Sequence, residues 1–135
     1  MPLLEQVLEN NPDTVKIVLK NMPLNFHEFA VPAALAALAA GKQGKYWEYH
    51  DELFANASKL TDKSFEEIAK KLGLDLKKFQ KDINSPEVQQ QLGKDLNDAK
   101  EAGVTGTPTI FVNGVKLKRR ELPAFQKLIN EALAK

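Results

Sequence analysis

The hydrophobic positions at the start of the chain follow two different periods. In residues 3–8 they recur at the spacing of one helix face, and the turn-forming residues 10–13 end that pattern. The next segment, Thr14–Lys20, is short, rich in β-branched residues and bounded by turn residues, so the sequence predicts a strand. Its central run of isoleucine, valine and leucine predicts burial on both faces of a sheet.

A block of helical patterns follows, with recognisable start signals. Ser64 and Glu67 have the spacing of a capping box, and Asp75 stands where it can cap the next helix. Ser85 followed by Pro86 is typical of a helix start, because proline is tolerated at the first helical position. Apolar spacing predicts five helices here, over residues 30–40, 44–56, 64–72, 76–83 and 86–102.

The hydrophobic period changes from helical to alternating in residues 109–112. The dipeptide that follows, Asn113-Gly114, favours a two-residue type I′ turn, because both central residues of that turn need positive φ angles. The sequence therefore predicts a β-hairpin over residues 109–118. A closing amphipathic helix is predicted over residues 121–134.

Composition narrows the chemistry available to these elements. The chain has 19 basic and 18 acidic residues, a formal charge of +1, so we expect no nucleic-acid partner. It has no cysteine, which excludes thiolate nucleophiles, disulfides and cysteine-bound metals within these residues. The longest apolar stretch, residues 29–41, is well short of the roughly 20 residues of a membrane-spanning helix, and we expect no span and no targeting signal.

Two histidines are the obvious candidates for metal or acid–base chemistry. His27 stands where a helix is predicted to begin, and we expect it to cap or pack that helix. His50 shares a predicted helix with acidic residues and is expected to be a partly exposed scaffold residue. In the same helix, Trp47, Leu53 and Phe54 are expected to lie on one side. Without a cysteine or a suitably spaced third ligand, no metal site and no cofactor is predicted.

Two charged groups have competing interpretations. The run Lys116–Arg120 concentrates four positive charges on the last predicted strand and the turn after it. Such a run is compatible with a phosphate or peptide-carboxylate site, but charged edge strands also prevent unwanted pairing, and we favour this second interpretation. Asp95 and Asp98 share one helix, where solvation of a polar face explains them without acid–base chemistry.

Three segments, in order, resemble motifs of the DsbA-like thioredoxin-fold proteins, a family of disulfide oxidoreductases. They are KNMPLNFHEFAVPAALAA at residues 20–37, QGKYWEYHDELFAN at residues 43–56 and GVTGTPTIFVNG at residues 103–114. The resemblance runs from about Leu3 to the C-terminus. It implies an α/β, thioredoxin-like fold of the DsbA type, with a large helical insert between strand 14–20 and hairpin 109–118.

The resemblance also implies which family elements this sequence does not contain. The family order is strand, Cys-x-x-Cys, helix, strand, helical insert, cis-proline loop, hairpin and helix, and residues 3–10 resemble the end of the first helix. We therefore expect one incomplete domain over residues 1–135, with its insert at 24–102. It would be N-terminally truncated, lacking the first core strand and the Cys-x-x-Cys motif. Because that strand is central in the family sheet, we expect a homodimer or a strand-completing partner.

The family resemblance places the substrate-binding residues in one loop. Gly106, Thr107, Pro108 and Thr109 match the cis-proline loop, and the bond before Pro108 is expected to be cis. Family members hold unfolded or peptide segments there by strand addition, so Thr107 is the expected main contact. Disulfide exchange needs a thiolate, so no catalytic residue is assigned and this chain alone is expected to be inactive.

Three functions follow from the resemblance. The favoured one is a homologue or fragment of a DsbA-family thiol:disulfide oxidoreductase, of the protein disulfide oxidoreductase or isomerase kind. The second is a non-redox module that binds peptides or a partner through the cis-proline groove. The third is a relative of kappa-class glutathione transferases, which share the fold but use an active-site serine. Family members are usually extracytoplasmic, or periplasmic in bacteria, but the chain itself indicates no compartment.

Overall fold

The structure, a computed structural model, describes residues 2–23 and 29–135. The chain divides into two compact units, one of Met1–Leu19 with Val104–Lys135 and one of Lys20–Gly103. His27, predicted to cap or pack a helix, lies outside the described residues. No helix in the described part of the chain is long and apolar enough to cross a membrane.

The described residues form seven α-helices, one short 3-10 helix and two strands. In chain order they are α1 (Pro2–Asn10), α2 (Ala30–Gly41), α3 (Tyr46–Ala55), the 3-10 helix (Ala57–Lys59), α4 (Ser64–Lys71), α5 (Leu76–Ile83), α6 (Pro86–Glu101), β1 (Phe111–Val112), β2 (Val115–Lys116) and α7 (Leu122–Leu133). The first unit contains α1, the two strands and α7. The second unit contains the helices α2 to α6.

The predicted hairpin is present. Strands β1 and β2 are antiparallel, with Phe111 opposite Lys116 and Val112 opposite Val115. Asn113 and Gly114 between them have φ angles of 45° and 83°, as a type I′ turn requires. One more backbone bond extends the pairing, from the Leu117 N–H to the Ile110 carbonyl at 2.8 Å.

The predicted strand at Thr14–Lys20 is not a strand in the structure. In the described part of the chain, no backbone group of residues 16–20 hydrogen-bonds to another backbone group. A strand exists only where a neighbour supplies donors and acceptors, and here none does. Exposure still alternates as in a strand, with Ile17 and Leu19 half-buried and Val18 67% exposed. The predicted burial on both faces was therefore wrong, because the face that carries Val18 is open to solvent.

The core of the first unit joins α1, the hairpin and α7. Val7, Leu117, Phe125 and Ile129 are buried in one cluster, and Val15 packs against it. Near this cluster, the buried Asn11 side chain exchanges two hydrogen bonds of 3.0 Å with the Gln126 side chain. The Asn11 amide also donates to the carbonyl of Val7 at 2.9 Å. These hydrogen bonds offset the cost of removing the Asn11 amide from water, and they tie the end of α1 to α7.

The core of the second unit is built on the alanine-rich helix α2. Alanines at positions 36, 39 and 40 are completely buried, which lets neighbouring helices approach closely. Tyr49 and Phe79 are also completely buried, and the Tyr49 hydroxyl donates to the Phe65 carbonyl at 2.9 Å. Burial raises the pKa of the Tyr49 hydroxyl above its usual range.

Helix α3 exposes two of the three residues that are predicted to share one side, Trp47 and Phe54, while the third, Leu53, packs against the core of the second unit. Trp47 is 42% exposed and Phe54 is 64% exposed, while Tyr49 and His50 are buried. The expectation of a partly exposed His50 was therefore wrong. Aromatic residues occur on both sides of this helix, so apolar spacing alone does not select the buried side.

Two of the three predicted helix starts are confirmed. The Asp75 side chain accepts a hydrogen bond from the Lys78 N–H at 3.1 Å, and the Ser85 hydroxyl accepts one from the Val88 N–H. The capping box at Ser64 is not formed, because α4 begins at Ser64 itself. The Ser64 hydroxyl instead accepts from the Thr61 N–H at 2.9 Å, which stabilises the preceding turn.

Two glycine-to-alanine substitutions are expected to shift stability in opposite directions. Gly114→Ala should destabilise the protein by about 1 kcal/mol, because a side chain disfavours the positive φ of the turn. Gly93→Ala, inside α6 with open space where its Cβ would lie, should stabilise it by about 0.5–1 kcal/mol. Urea denaturation of both variants measures the two shifts. If both substitutions shift the free energy of unfolding in the same direction, the assignment of the turn is contradicted.

A tyrosine titration tests the packing of α3. The Tyr46 hydroxyl donates to the Asn21 side chain, and burial raises the pKa of Tyr46 to about 12. The neutral form therefore contributes stability that is present below about pH 10 and is lost as the pH rises through about 12. We expect no tyrosinate absorbance step near pH 10 in the folded protein and a step there in urea. A step at about pH 10 in the folded protein would contradict the buried site.

Candidate functional site

The loop before β1 brings the predicted binding residues to the surface. The Thr107–Pro108 peptide bond is cis, and both residues are exposed. On either side, Gly106 and Thr109 are half-buried. The Thr109 hydroxyl donates to the Gly106 carbonyl at 2.6 Å, which closes the loop across the proline.

The backbone of this loop carries unused hydrogen-bonding groups. Within the described ranges, neither the N–H nor the C=O of Thr107 has a hydrogen-bond partner in the chain. Because Thr107 is exposed, water can satisfy both groups, and a ligand can replace that water without a buried polar group being left unpaired. Thr107 therefore offers one donor and one acceptor to a binding partner.

A cavity of about 310 Å³ opens beside the loop. It is lined by residues 105–110 on one side and by residues 116–118 with Arg120 on the other. The four residues predicted to bind substrate, Gly106 to Thr109, all line this cavity. Both walls belong to the first unit, and the register of the hairpin brings them together.

The hairpin wall of the cavity is basic. Lys116, Lys118 and Arg120 all line it, and within the described residues none of them makes an ion pair. Arg119, which is not in the lining, lies 3.9 Å from Glu121. Among the residues that the structure describes, no acidic side chain is part of the lining. The sequence favours edge protection as the role of the basic run, and that interpretation misses its position at the cavity. A signal was present, because the three cations are two residues apart, which places them on one side of an extended chain.

The carboxylates of α6 have a structural role. Asp95 is buried and accepts hydrogen bonds from the backbone N–H of Asn21 at 2.9 Å and from the side chains of Asn21 and Gln91. Asp98 pairs with Lys20 at 2.7 Å, and this hydrogen bond lowers the pKa of the Asp98 carboxyl. Both carboxylates hold residues 20–21, the start of the second unit, against α6, and neither is left free for acid–base catalysis.

The environment of His50 is also structural. Its ring packs against the rings of Trp47 and Phe54, with centroid distances of 5.4 Å and 4.6 Å. Its Nδ1 lies 3.4 Å from the Asp51 carboxylate. Across the described ranges, no group of three histidine, cysteine or acidic side chains is placed to bind a metal ion.

Comparison with known proteins places this geometry in a family. The model of the thioredoxin family matches residues 2–131. A thioredoxin-like oxidoreductase from Silicibacter pomeroyi DSS-3 is 26% identical with a TM-score of 0.84, over 100% of this chain and 78% of that one. The thiol-disulfide exchange protein alpha-DsbA2 from Wolbachia pipientis is 22% identical with a TM-score of 0.80, over 97% of this chain and 72% of that one. These matches confirm the predicted thioredoxin-like fold of the DsbA type.

The curated relatives are much longer proteins. The chain is 38% identical over 101 residues to a Na(+)/H(+) antiporter NhaA 1 of Salinispora arenicola, a match of 74% of this chain and 16% of that protein. It is 34% identical over 106 residues to a Na(+)/H(+) antiporter NhaA of Herminiimonas arsenicoxydans, covering 78% of this chain and 17% of the relative. The chain thus spans less than a fifth of the length of these relatives.

The family model and the solved structures agree in extent and in fold. The family model leaves only the first residue and the last four outside its match, and the two solved structures align over nearly the whole chain. The chain belongs to the thioredoxin family and has the DsbA-like form of its fold.

Proposed function

We propose that these residues form the segment-binding part of a DsbA-like thiol:disulfide oxidoreductase. In this proposal the loop around Pro108 holds an extended polypeptide segment beside Thr107. The observation that carries the proposal is the exposed and unpaired backbone of Thr107, placed at a cavity of about 310 Å³. The oxidoreductase named for the structurally similar protein of Silicibacter pomeroyi supports the choice of reaction class.

The proposed contact is an addition of one short strand. In the hydrogen-bonded pairs of an antiparallel ladder, two opposite residues exchange both of their backbone hydrogen bonds. One residue of a bound segment can therefore satisfy the donor and the acceptor of Thr107 together. Main-chain bonds of this kind give affinity without requiring a particular sequence, which suits unfolded or peptide ligands.

The chemical step needs a group that these residues do not contain. In disulfide exchange a thiolate attacks one sulfur of a disulfide, a new S–S bond forms, and the second sulfur leaves as a thiolate. None of the 135 residues is a cysteine, so no side chain here can be the attacking or the leaving sulfur. The proposal therefore assigns to these residues the positioning of the segment, while the thiolate comes from outside them.

The same geometry supports a second candidate function, a non-redox module that binds peptides or a partner. The cysteine-free composition favours it, because binding through Thr107 requires no thiol. The two functions share the binding step. They differ in whether an external thiolate then exchanges a disulfide of the bound segment.

We also propose that a strand from another chain completes the sheet. Strand β1 pairs on one side with β2, and within the described residues its other edge has no partner. Residues 16–20 likewise offer unpaired backbone groups, and Val18 is 67% exposed. Unpaired edges of this kind are templates for strand pairing, and a second copy of the chain is the simplest partner.

Peptide binding tests the role of the loop. The insulin B chain, with its cysteines alkylated by an uncharged group, should bind, as measured by fluorescence anisotropy of a labelled sample. Thr107→Arg should weaken this binding at least about tenfold, because the long side chain enters the cavity and blocks two backbone bonds worth roughly 1 kcal/mol each. Thr14→Arg makes the same change at an exposed threonine outside the lining and should leave the affinity unchanged. Equal affinities of the two variants would refute the site.

The oligomeric state tests the proposed strand partner. Light scattering coupled to size exclusion at tens of micromolar should give the mass of a dimer. Val18→Lys, a charge on the proposed pairing segment, should give the mass of a monomer, because charged residues on a strand edge oppose pairing. Val31→Lys, which makes the same change at another exposed valine, on α2, should remain dimeric. A folded monomer in the unmodified protein would contradict the homodimer.

A further inference from the structure

The three cations at the cavity are an isolated feature of an otherwise balanced chain. The formal charge of the whole chain is +1, yet Lys116, Lys118 and Arg120 meet at one cavity of about 310 Å³ without an acidic neighbour in its lining. Other exposed lysines of the described residues, such as Lys77 and Lys127, also make no ion pair, so what distinguishes Lys116, Lys118 and Arg120 is that they line one cavity. Within the part of the chain that the structure describes, this cavity therefore brings together three positive charges with no acidic side chain in its lining.

The fold fixes the side on which these cations stand. Leu117, between the two lysines, is buried in the cluster of the first unit, and its N–H is bonded to the Ile110 carbonyl at 2.8 Å. Leu117 is anchored in this way, and its two exposed neighbours, Lys116 and Lys118, line the cavity with it.

Protection of a strand edge does not account for this group. A lysine on an edge strand discourages pairing with other chains, and Lys116, which lies in β2, fits that role. Lys118 and Arg120 lie beyond the end of β2 and have no strand edge to protect. What the three cations share is the cavity and not the strand.

Three like charges that share one cavity favour a ligand of opposite charge. The Cα atoms of neighbouring cations, which are two residues apart in the chain, are at most roughly 7 Å apart, within a screening length of about 8 Å at physiological ionic strength. Their mutual repulsion is relieved when carboxylates approach. Pairs of opposite charge on neighbouring strands are favourable for the same reason. The three cations occupy every second position of the chain, and so do the side chains on one face of an extended ligand.

We propose that the segment held beside Thr107 is acidic, with aspartate or glutamate at alternate positions facing Lys116, Lys118 and Arg120. This inference rests on the proposed function, because it assigns charge to a ligand that the Thr107 backbone holds. An extended polypeptide is the ligand that fits both walls, since one wall offers backbone groups and the other offers cations. Backbone bonds then supply affinity, and the cations select the sequence.

Three synthetic peptides separate the contribution of the backbone hydrogen bonds from that of the three cations. Each has ten residues with blocked termini and alternates valine with glutamate, with glutamine or with lysine. The glutamine peptide reports backbone binding alone, and Thr107→Arg should abolish its binding. At about 0.15 M salt the glutamate peptide should bind at least about fivefold more tightly than the glutamine peptide, and the lysine peptide should bind most weakly. Raising the salt concentration should shrink these differences.

A charge reversal with a matched control tests whether the preference for the glutamate peptide comes from the cavity. Lys118→Glu should remove the preference for the glutamate peptide, measured as the ratio of the affinities of the glutamate and glutamine peptides for the same variant. Lys127→Glu makes the same change at an exposed lysine of α7 that is not in the lining, and it should keep the preference. Circular dichroism of both variants confirms that they are folded.

The outcomes distinguish this inference from the proposed function. If the glutamate and glutamine peptides bind equally and Thr107→Arg abolishes both, the acidic preference is wrong and the proposed function stands. If Lys127→Glu lowers the preference as much as Lys118→Glu, overall charge and not the cavity sets it, and the inference is also overturned. If none of the peptides binds, both the inference and the proposed function fail.

Discussion

The positive φ angles at Asn113 and Gly114 set the register of the hairpin, and the candidate site depends on that register. A two-residue turn places Val112 opposite Val115 and brings the Leu117 N–H to the Ile110 carbonyl. A slip of one residue would exchange the faces of every side chain beyond the turn. Leu117 would then leave the core of the first unit, and its basic neighbours would leave the cavity.

Backbone pairing is the second constraint on this molecule. A thioredoxin-like fold is organised around a sheet, yet the described residues form only two strands of two residues each. Residues 16–20 keep the alternating exposure of a strand without its hydrogen bonds. The same shortage of partners leaves the Thr107 backbone unpaired. The two proposals, binding at the loop and completion of the sheet, therefore rest on one property, the unpaired backbone groups of the described residues.

The features that could be predicted from sequence are those fixed by local chemistry. Asn113-Gly114 has few alternatives to a tight turn, and Asp75 and Ser85 cap their helices through atoms three residues away. Features fixed by distant neighbours could not be predicted in the same way. Whether residues 14–20 pair depends on a strand elsewhere, and which face of α3 is buried depends on the residues packed against it.

The candidate site also combines features fixed by local chemistry with features fixed by distant neighbours. Gly106 to Thr109 could be identified from their motif, because the loop and its proline are consecutive residues. The run Lys116–Arg120 could be named as a candidate from sequence, but its two interpretations, an anion site and edge protection, could not be separated without knowing its neighbours. The structure places Lys118 and Arg120 in the lining of the same cavity as the loop.

Hydrogen exchange at the Thr107 amide measures the proposed hydrogen bond between this amide and a bound segment. Exchange of individual amides is measured by NMR with and without a saturating extended peptide. We expect the Thr107 amide, which has no partner among the described residues, to exchange more slowly when the peptide is bound, with further slowing confined to its neighbours in the loop. Unchanged exchange at Thr107 in a saturated complex, or protection found only in the second unit, would contradict it.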